Sequence, residues 1–282
     1  MQRLRRVARH ILGAMESSLD RSPPLQKAIE ARPFGNVTLG THFLRSPKKD
    51  VFFIYVDKVA CTYLKHSLFQ QMWGDLHGVN PEIFMAGWEH HDFLHAFAGE
   101  VMTVDGRDAL SVPGAKFITF CRNPYDRLLS AFTDKVLAPR PLERAHFEWV
   151  RREVLFQGAR RGKYRNYVNV FNEGVPFSEF VDFIAHQDVG KLDVHWTPQH
   201  LINLADIVPS TVIRLERFDE EFPKAWEEAI GAKTPTITRP EQNKSKRAFA
   251  PAIDQATADM IYEIYKTDFE LFGYARDSWQ SI

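Results

Sequence analysis

The chain has 282 residues, 44% apolar and 26% charged, enough to bury a sizeable core and too hydrophobic for global disorder. Lys plus Arg and Asp plus Glu each number 36, so the formal net charge is zero. That excludes a protein that coats nucleic acid through bulk positive charge, while leaving room for a local anion site. Two cysteines, Cys61 and Cys121, make neither a disulfide framework nor a zinc spacing, and a reducing compartment is the default.

Residues 1–15 carry Arg3, Arg5, Arg6 and Arg9 beside Leu4, Val7, Ile11 and Leu12. The pattern reads either as a basic amphipathic helix in peripheral contact with a membrane, or as a terminal helix that docks or stays solvated. No stretch is long and apolar enough for a transmembrane helix, so the expected location is the cytoplasm, with membrane association through residues 1–15 as the variant. Turn formers crowd the segment up to residue 50, which together with the first helix is taken as a lead-in of residues 1–50, followed by a single domain over 51–282.

The run Val51 to Val56 is continuous and β-forming, as in a strand buried on both faces. A short loop follows, then a helix from Tyr63 to Trp73 with apolar spacing at Leu64, Leu68 and Met72. Lys116 to Cys121 repeats the strand pattern; Asn123 is placed to cap a helix with Pro124 in its first turn, running to Leu137. Arg140 to Arg165, with eight basic and three acidic residues, is helix-prone around Trp149. Thr211 to Leu215 is a third strand, and Ala252 to Phe272 an amphipathic helix with Ile261, Ile264, Tyr265, Phe269 and Phe272 facing inward. This alternation predicts an α/β fold, a parallel sheet flanked by helices.

A strand that ends in a short loop opening a helix presents unpaired N–H groups and the positive end of the helix dipole, a geometry suited to phosphate. The first such loop adds Lys58, Thr62 and Lys65, and it lacks the GxxxxGK[ST] spacing of a nucleoside triphosphatase. Alone it reads equally as a solvated lysine. At the second junction, Arg122 can fork onto a phosphate and Ser130, about two turns along the helix, can donate a hydroxyl. Arg127 reads either as a third ligand or as a helix-surface residue. Two such junctions on neighbouring strands suit a nucleotide with phosphates at both ends of its ribose.

The stretch Phe53-Ile54-Tyr55-Val56-Asp57-Lys58-Val59-Ala60-Cys61-Thr62-Tyr63-Leu64-Lys65 resembles the 5′-phosphosulfate loop of the carbohydrate sulfotransferases, a P-K-V-x-C-T-x-x-K pattern. Phe120-Cys121-Arg122-Asn123-Pro124-Tyr125-Asp126-Arg127-Leu128-Leu129-Ser130-Ala131-Phe132 is similar to their 3′-phosphate motif. His195-Trp196-Thr197-Pro198-Gln199 resembles the H-W-x-P-Q stretch of the chondroitin/HNK-1 branch of sulfotransferase family 2. The resemblance runs from about residue 50 to 275. Two departures stand out: Asp57 replaces the usual proline, and the cysteine pairs, anchor and stem of the Golgi enzymes are missing, which fits a soluble bacterial member.

The resemblance implies a P-loop-like sulfotransferase fold and transfer of a sulfuryl group from 3′-phosphoadenosine 5′-phosphosulfate (PAPS) to a hydroxyl of a carbohydrate or similar acceptor, with no metal. Lys58 would neutralise charge on the leaving oxygen. Thr62 and the backbone of Val59, Ala60, Cys61 and Tyr63 would hold the 5′-phosphate with Lys65 assisting, and Arg122 and Ser130 would hold the 3′-phosphate. A hydroxyl acceptor calls for a general base, and histidine suits neutral pH. His91, His90 and His195 are the candidates, with His95 one helical turn after His91. Lys244 and Arg247 sit in a polar loop that either closes over the nucleotide or is a solvated charge run. The basic segment around Trp149 suggests an anionic acceptor, or else a solvated helix face. Trp88, Trp149 and Trp196 are sugar-stacking candidates, with burial in the core the simpler expectation for at least two of them. The competing readings are a catalytically silent nucleotide-binding relative acting as sensor or scaffold, and a small-molecule kinase.

Overall fold

The computed structural model describes residues 42–74, 90–137, 144–162, 174–203, 207–236 and 251–282, without the side chains at 90–92, 144–146 and 203. The expectations for residues 1–15, Trp88, Lys244 and Arg247 lie outside the described residues. In chain order the elements are β1 (Phe43–Arg45), β2 (Val51–Ile54), α1 (Cys61–Trp73), α2 (His90–Phe97), β3 (Thr103–Val104), α3 (Gly106–Leu110), β4 (Lys116–Cys121), α4 (Pro124–Ala131), α5 (Arg144–Arg160), α6 (Phe177–Ala185), α7 (Gln199–Asn203), β5 (Thr211–Arg214), α8 (Phe218–Ile230) and α9 (Gln255–Phe272). The chain divides into two compact units, one of residues 1–121 with 201–238 and one of residues 122–200 with 239–282.

The first unit holds a five-stranded sheet in the order β3-β1-β2-β4-β5. The three strands expected from apolar runs pair in parallel, with Ile54 opposite Thr119 and Cys121 opposite Arg214. Two further strands, β1 and β3, add an antiparallel flank, so the sheet is mixed. β1 falls in the segment read as lead-in; three residues are too few to show a period. It returns into β2 through a turn in which the Ser46 hydroxyl donates to the Lys48 carbonyl and accepts from the Lys48 N–H.

Alternation along the strands sends neighbours to opposite faces. Leu44, Phe53, Ile118, Phe120 and Ile213 pack with Leu64 and Leu68 of α1 and with Phe218, Phe222 and Trp226 of α8. Phe43, Phe52, Ile54 and Phe117 pack on the other face with Val104 and Ala109. Both faces are thus covered, as a parallel sheet requires.

The second unit is helical. Tyr125, Leu128 and Phe132, then Phe147, Val150 and Val154 of α5, Phe177 and Phe180 of α6, and Ile261, Tyr265 and Phe269 of α9 form one core around Trp196. Asn123 accepts from the Tyr125 N–H and caps α4 as expected, with Pro124 in the first turn. After Ala131 the helix loosens into a π-helical stretch, Phe132–Leu137. Asp254 caps α9 and Gly273 ends it in the left-handed conformation.

Candidate functional site

In the first unit, β2 ends at Ile54 and α1 begins at Cys61, leaving a six-residue loop. Lys58 (φ 67°) and Ala60 (φ 52°) are the only non-glycine residues with positive φ among the described residues. Such conformations cost about 1–3 kcal/mol each and persist where the surroundings impose them. The sign of φ thus alternates along 58–60, the backbone pattern on which anion-receiving nests are built, with the Val59 N–H donated to the Val56 carbonyl at 3.1 Å. The helix that follows is also open: Ala60 supplies no side-chain cap and the first turn holds no acid. Asp105, Asn123 and Asp254, by contrast, cap their own helices. An uncapped N-terminus after such a loop is a geometry suited to an anion.

Four predicted residues lie at it: Lys58, Cys61, Thr62 and Lys65. Lys58 and Cys61 are half-buried in the loop and at the start of α1. Thr62 Oγ1 lies 3.2 Å from His95 Nε2. Lys65 is 5% exposed, with its Nζ 3.2 Å from His95 Nδ1 and 4.1 Å over the Tyr55 ring. Burial, then the neighbouring Asp57 carboxylate and Cys61, pushes the Tyr55 phenol far up, so it stays protonated. Tyr63 turns away from the loop, its ring edge-on to Phe218 and Phe222.

In the second unit, the Arg122 guanidinium donates through Nε (3.0 Å) and Nη2 (2.8 Å) to Asp126 Oδ2. Its backbone is gripped by Gln199: Arg122 N–H donates to Gln199 Oε1 and Gln199 Nε2 donates to the Arg122 carbonyl, both at 2.9 Å. Ser130, half-buried, lies one turn beyond Asp126 on α4. Arg127 is not a surface residue. It is 2% exposed and donates to the carbonyls of Thr197 (2.7 Å) and Val194 (3.0 Å). The Tyr265 hydroxyl donates to the Trp196 carbonyl at 2.6 Å, in the helix turn where α9 kinks. Residues Val194 to Gln199 therefore frame the Arg122–Arg127 turn.

The Sulfotransferase family profile matches residues 41–275. The chain belongs to the sulfotransferase family. It is similar to carbohydrate sulfotransferase 14 of Danio rerio, 26% identical over 250 residues that cover 86% of this chain and 64% of that protein. It is also similar to carbohydrate sulfotransferase 10 of Homo sapiens, 30% identical over 172 residues that cover 55% of this chain and 46% of that protein. The chain thus spans from just under half to just under two thirds of the length of these curated relatives. No solved structure matches it.

Among the histidines of this chain, His90 and His91 open α2, but their side chains lie outside the described residues. His195 Nδ1 sits 2.5 Å from Asp193 Oδ1, with the ring edge-on to Phe147. A carboxylate at Nδ1 fixes the tautomer that leaves Nε2 as the basic nitrogen, the arrangement of an oriented base. Sequence reasoning passed over His200, whose Nδ1 is 2.6 Å from Asp268 Oδ1. Asp268 is fully buried and also accepts from the N–H groups of Gln199 (2.7 Å) and His200 (2.9 Å). Nothing local to Asp268 announces that role, because its partners lie nearly seventy residues away. Trp196 is buried as expected, whereas Trp149 is 55% exposed. Among the described residues no His, Cys, Asp and Glu cluster could hold a metal ion, and no helix is long and apolar enough to cross a membrane.

Proposed function

We propose that the chain transfers a sulfuryl group from PAPS to a hydroxyl of a carbohydrate acceptor. The observation that supports this reading is the loop of alternating φ at 58–60, with Lys58 in it, leading into the start of α1, where Ala60 supplies no side-chain cap. Membership of the sulfotransferase family, and the likeness to two named carbohydrate sulfotransferases, support reading the anion of this loop as the phosphosulfate of PAPS.

In this mechanism the loop N–H groups from Ala60 to Tyr63 and the Thr62 hydroxyl hold the 5′-phosphate; the Val59 N–H, expected from the sequence to join them, donates to the Val56 carbonyl instead. Arg122 and Ser130 take the 3′-phosphate. The acceptor oxygen bonds to sulfur as the S–O bridge to the 5′-phosphate breaks, and adenosine 3′,5′-bisphosphate leaves. Lys58 neutralises the charge gathering on that bridging oxygen, so its contribution grows toward the transition state. The hydroxyl proton passes to a histidine, His91 or His90 first and His195 as the alternative. The chemistry asks for positioning and charge rather than a metal.

An anionic glycan is the acceptor class that suits α5. Trp149 (55% exposed), Arg152, Phe156 (50% exposed) and Arg160 recur at helical spacing along one face, and the Arg160 guanidinium lies 5.9 Å over the Phe156 ring. Alternating rings and guanidinium groups offer stacking for sugars and charge for their carboxylates or sulfates.

The decisive experiment incubates the protein with radiolabelled PAPS and a panel of neutral and acidic glycans, beside Lys58→Ala. Label should enter an acidic glycan, and Lys58→Ala should lose at least about a hundredfold in kcat, the scale of one lost oxyanion donor. Transfer unaffected by that change would remove Lys58 from the mechanism. Asp57, an acid where the related loops carry proline, favours one second reading: a silent nucleotide binder. Thermal stabilisation by adenosine 3′,5′-bisphosphate with no transfer to any glycan would select it.

A further inference from the structure

The imidazole of His95 joins two side chains of α1 that lie three residues apart. Lysine ammonium can only donate, so His95 Nδ1 must accept from Lys65 at 3.2 Å. The ring proton then resides on Nε2, which donates to Thr62 Oγ1 at 3.2 Å. The Thr62 hydroxyl, accepting on that side, turns its own proton elsewhere. Lys65 is held between His95 and the face of Tyr55, whose raised pKa keeps that ring uncharged. Both ring nitrogens of His95 are thus committed within the first unit, 30 and 33 residues from their partners.

We infer that His95 is a positioning residue of the oxyanion loop: it sets the Thr62 hydroxyl and the Lys65 ammonium for the anion and takes no proton from the acceptor. A general base needs a nitrogen lone pair turned to the acceptor hydroxyl, and Lys65 already uses the one His95 has. The seat of α2 on α1 does not depend on this residue. Phe93 and Phe97 pack against Phe69, with ring centroids 6.2 and 5.0 Å apart, and Phe97 packs against Trp73 at 5.1 Å. Removing the imidazole therefore leaves the two helices joined and loosens only the polar pair.

The inference rests on the 55–60 loop being an oxyanion site, and glutamine separates it from the alternatives. A Gln side chain carries one acceptor and one donor and cannot titrate, so His95→Gln can rebuild both hydrogen bonds whereas His95→Ala can rebuild neither. Calorimetry with adenosine 3′,5′-bisphosphate should show His95→Ala binding about tenfold more weakly, the scale of losing one or two such bonds. His95→Gln should recover to within about threefold of the native protein, and circular dichroism should match for all three proteins. Equal binding by His95→Ala overturns the inference, as does a His95→Gln variant no better than the alanine. A His95→Gln variant that binds normally but transfers sulfate at least about a hundredfold more slowly would make His95 the base and overturn it too. If the bisphosphate fails to bind but inorganic sulfate does, with the same dependence on His95, the nucleotide reading falls and the assignment of His95 stands. Failure of both anions to bind the native protein overturns both.

Discussion

Gln199 and Arg122, 77 residues apart, exchange two hydrogen bonds of 2.9 Å through the side-chain amide of one and the main chain of the other. Gln199 is fully buried and its own N–H is anchored on the equally buried Asp268. The turn that presents the proposed 3′-phosphate ligand is therefore fixed by a glutamine whose two ends match a peptide's donor and acceptor. Leucine at 199 keeps the volume but leaves an N–H and a carbonyl of Arg122 without these partners. Gln199→Leu should destabilise the second unit by about 3 kcal/mol, read as a lower urea midpoint. Gln199→Glu should cost at least as much, because the new carboxylate replaces an amide nitrogen 3.5 Å from Asp268 Oδ2.

Ala60 holds left-handed dihedrals (φ 52°, ψ 21°) that glycine adopts without strain. Ala60→Gly should raise stability by about 1 kcal/mol, relieving the Cβ contact, and thermal unfolding measures it. Binding of adenosine 3′,5′-bisphosphate should not improve in step, since glycine also frees the loop to leave the nest conformation. A variant that melts earlier than the native protein would show that the methyl group makes a packing contribution larger than the strain.

Three phenols resist ionisation. Burial drives Tyr265 and Tyr55 far above their usual range. Burial also pushes Tyr125 up to about 12, with Arg276 opposing and Asp259 adding to the rise. Unfolded tyrosines ionise near pH ~10. The stability these neutral phenols contribute is fully present below that pH and is lost as pH climbs toward the folded values. Absorbance of tyrosinate should accordingly lag a normal titration and then rise together with loss of circular dichroism. Tyr125→Phe removes one such group and should move the alkaline unfolding midpoint upward; an unmoved midpoint would mean that Tyr125 ionises without consequence.

Along α5, Arg152 and Arg160 are exposed beside Phe156 and Trp149. Arg152→Ala with Arg160→Ala should raise KM for an acidic glycan about tenfold while KM for PAPS and the melting temperature hold steady. Because these charges face water, the effect should shrink as salt is added. An unchanged KM at low salt would move the acceptor elsewhere.

How much of this was legible in the sequence depends on how local each feature is. The strand runs Val51–Ile54 and Lys116–Cys121, the Asn123 cap with Pro124, and the helix closing at Gly273 are each written within a few neighbouring residues, where hydrophobic period and capping chemistry act. The proposed anion loop is legible in the same way, because a strand, a lysine and a helix start are contiguous. Tertiary structure alone decided the rest. β1 and β3, three and two residues long, take their identity from pairing rather than from pattern. Arg127, open to either role on its helix, is drawn inward by carbonyls some seventy residues away. The same holds for His95 on Lys65 and for Asp268 on Gln199 and His200. Hydrogen bonds between distant side chains follow no periodicity, so the sequence determines where the proposed oxyanion donors stand along the chain, and only folding determines which side chains hold them.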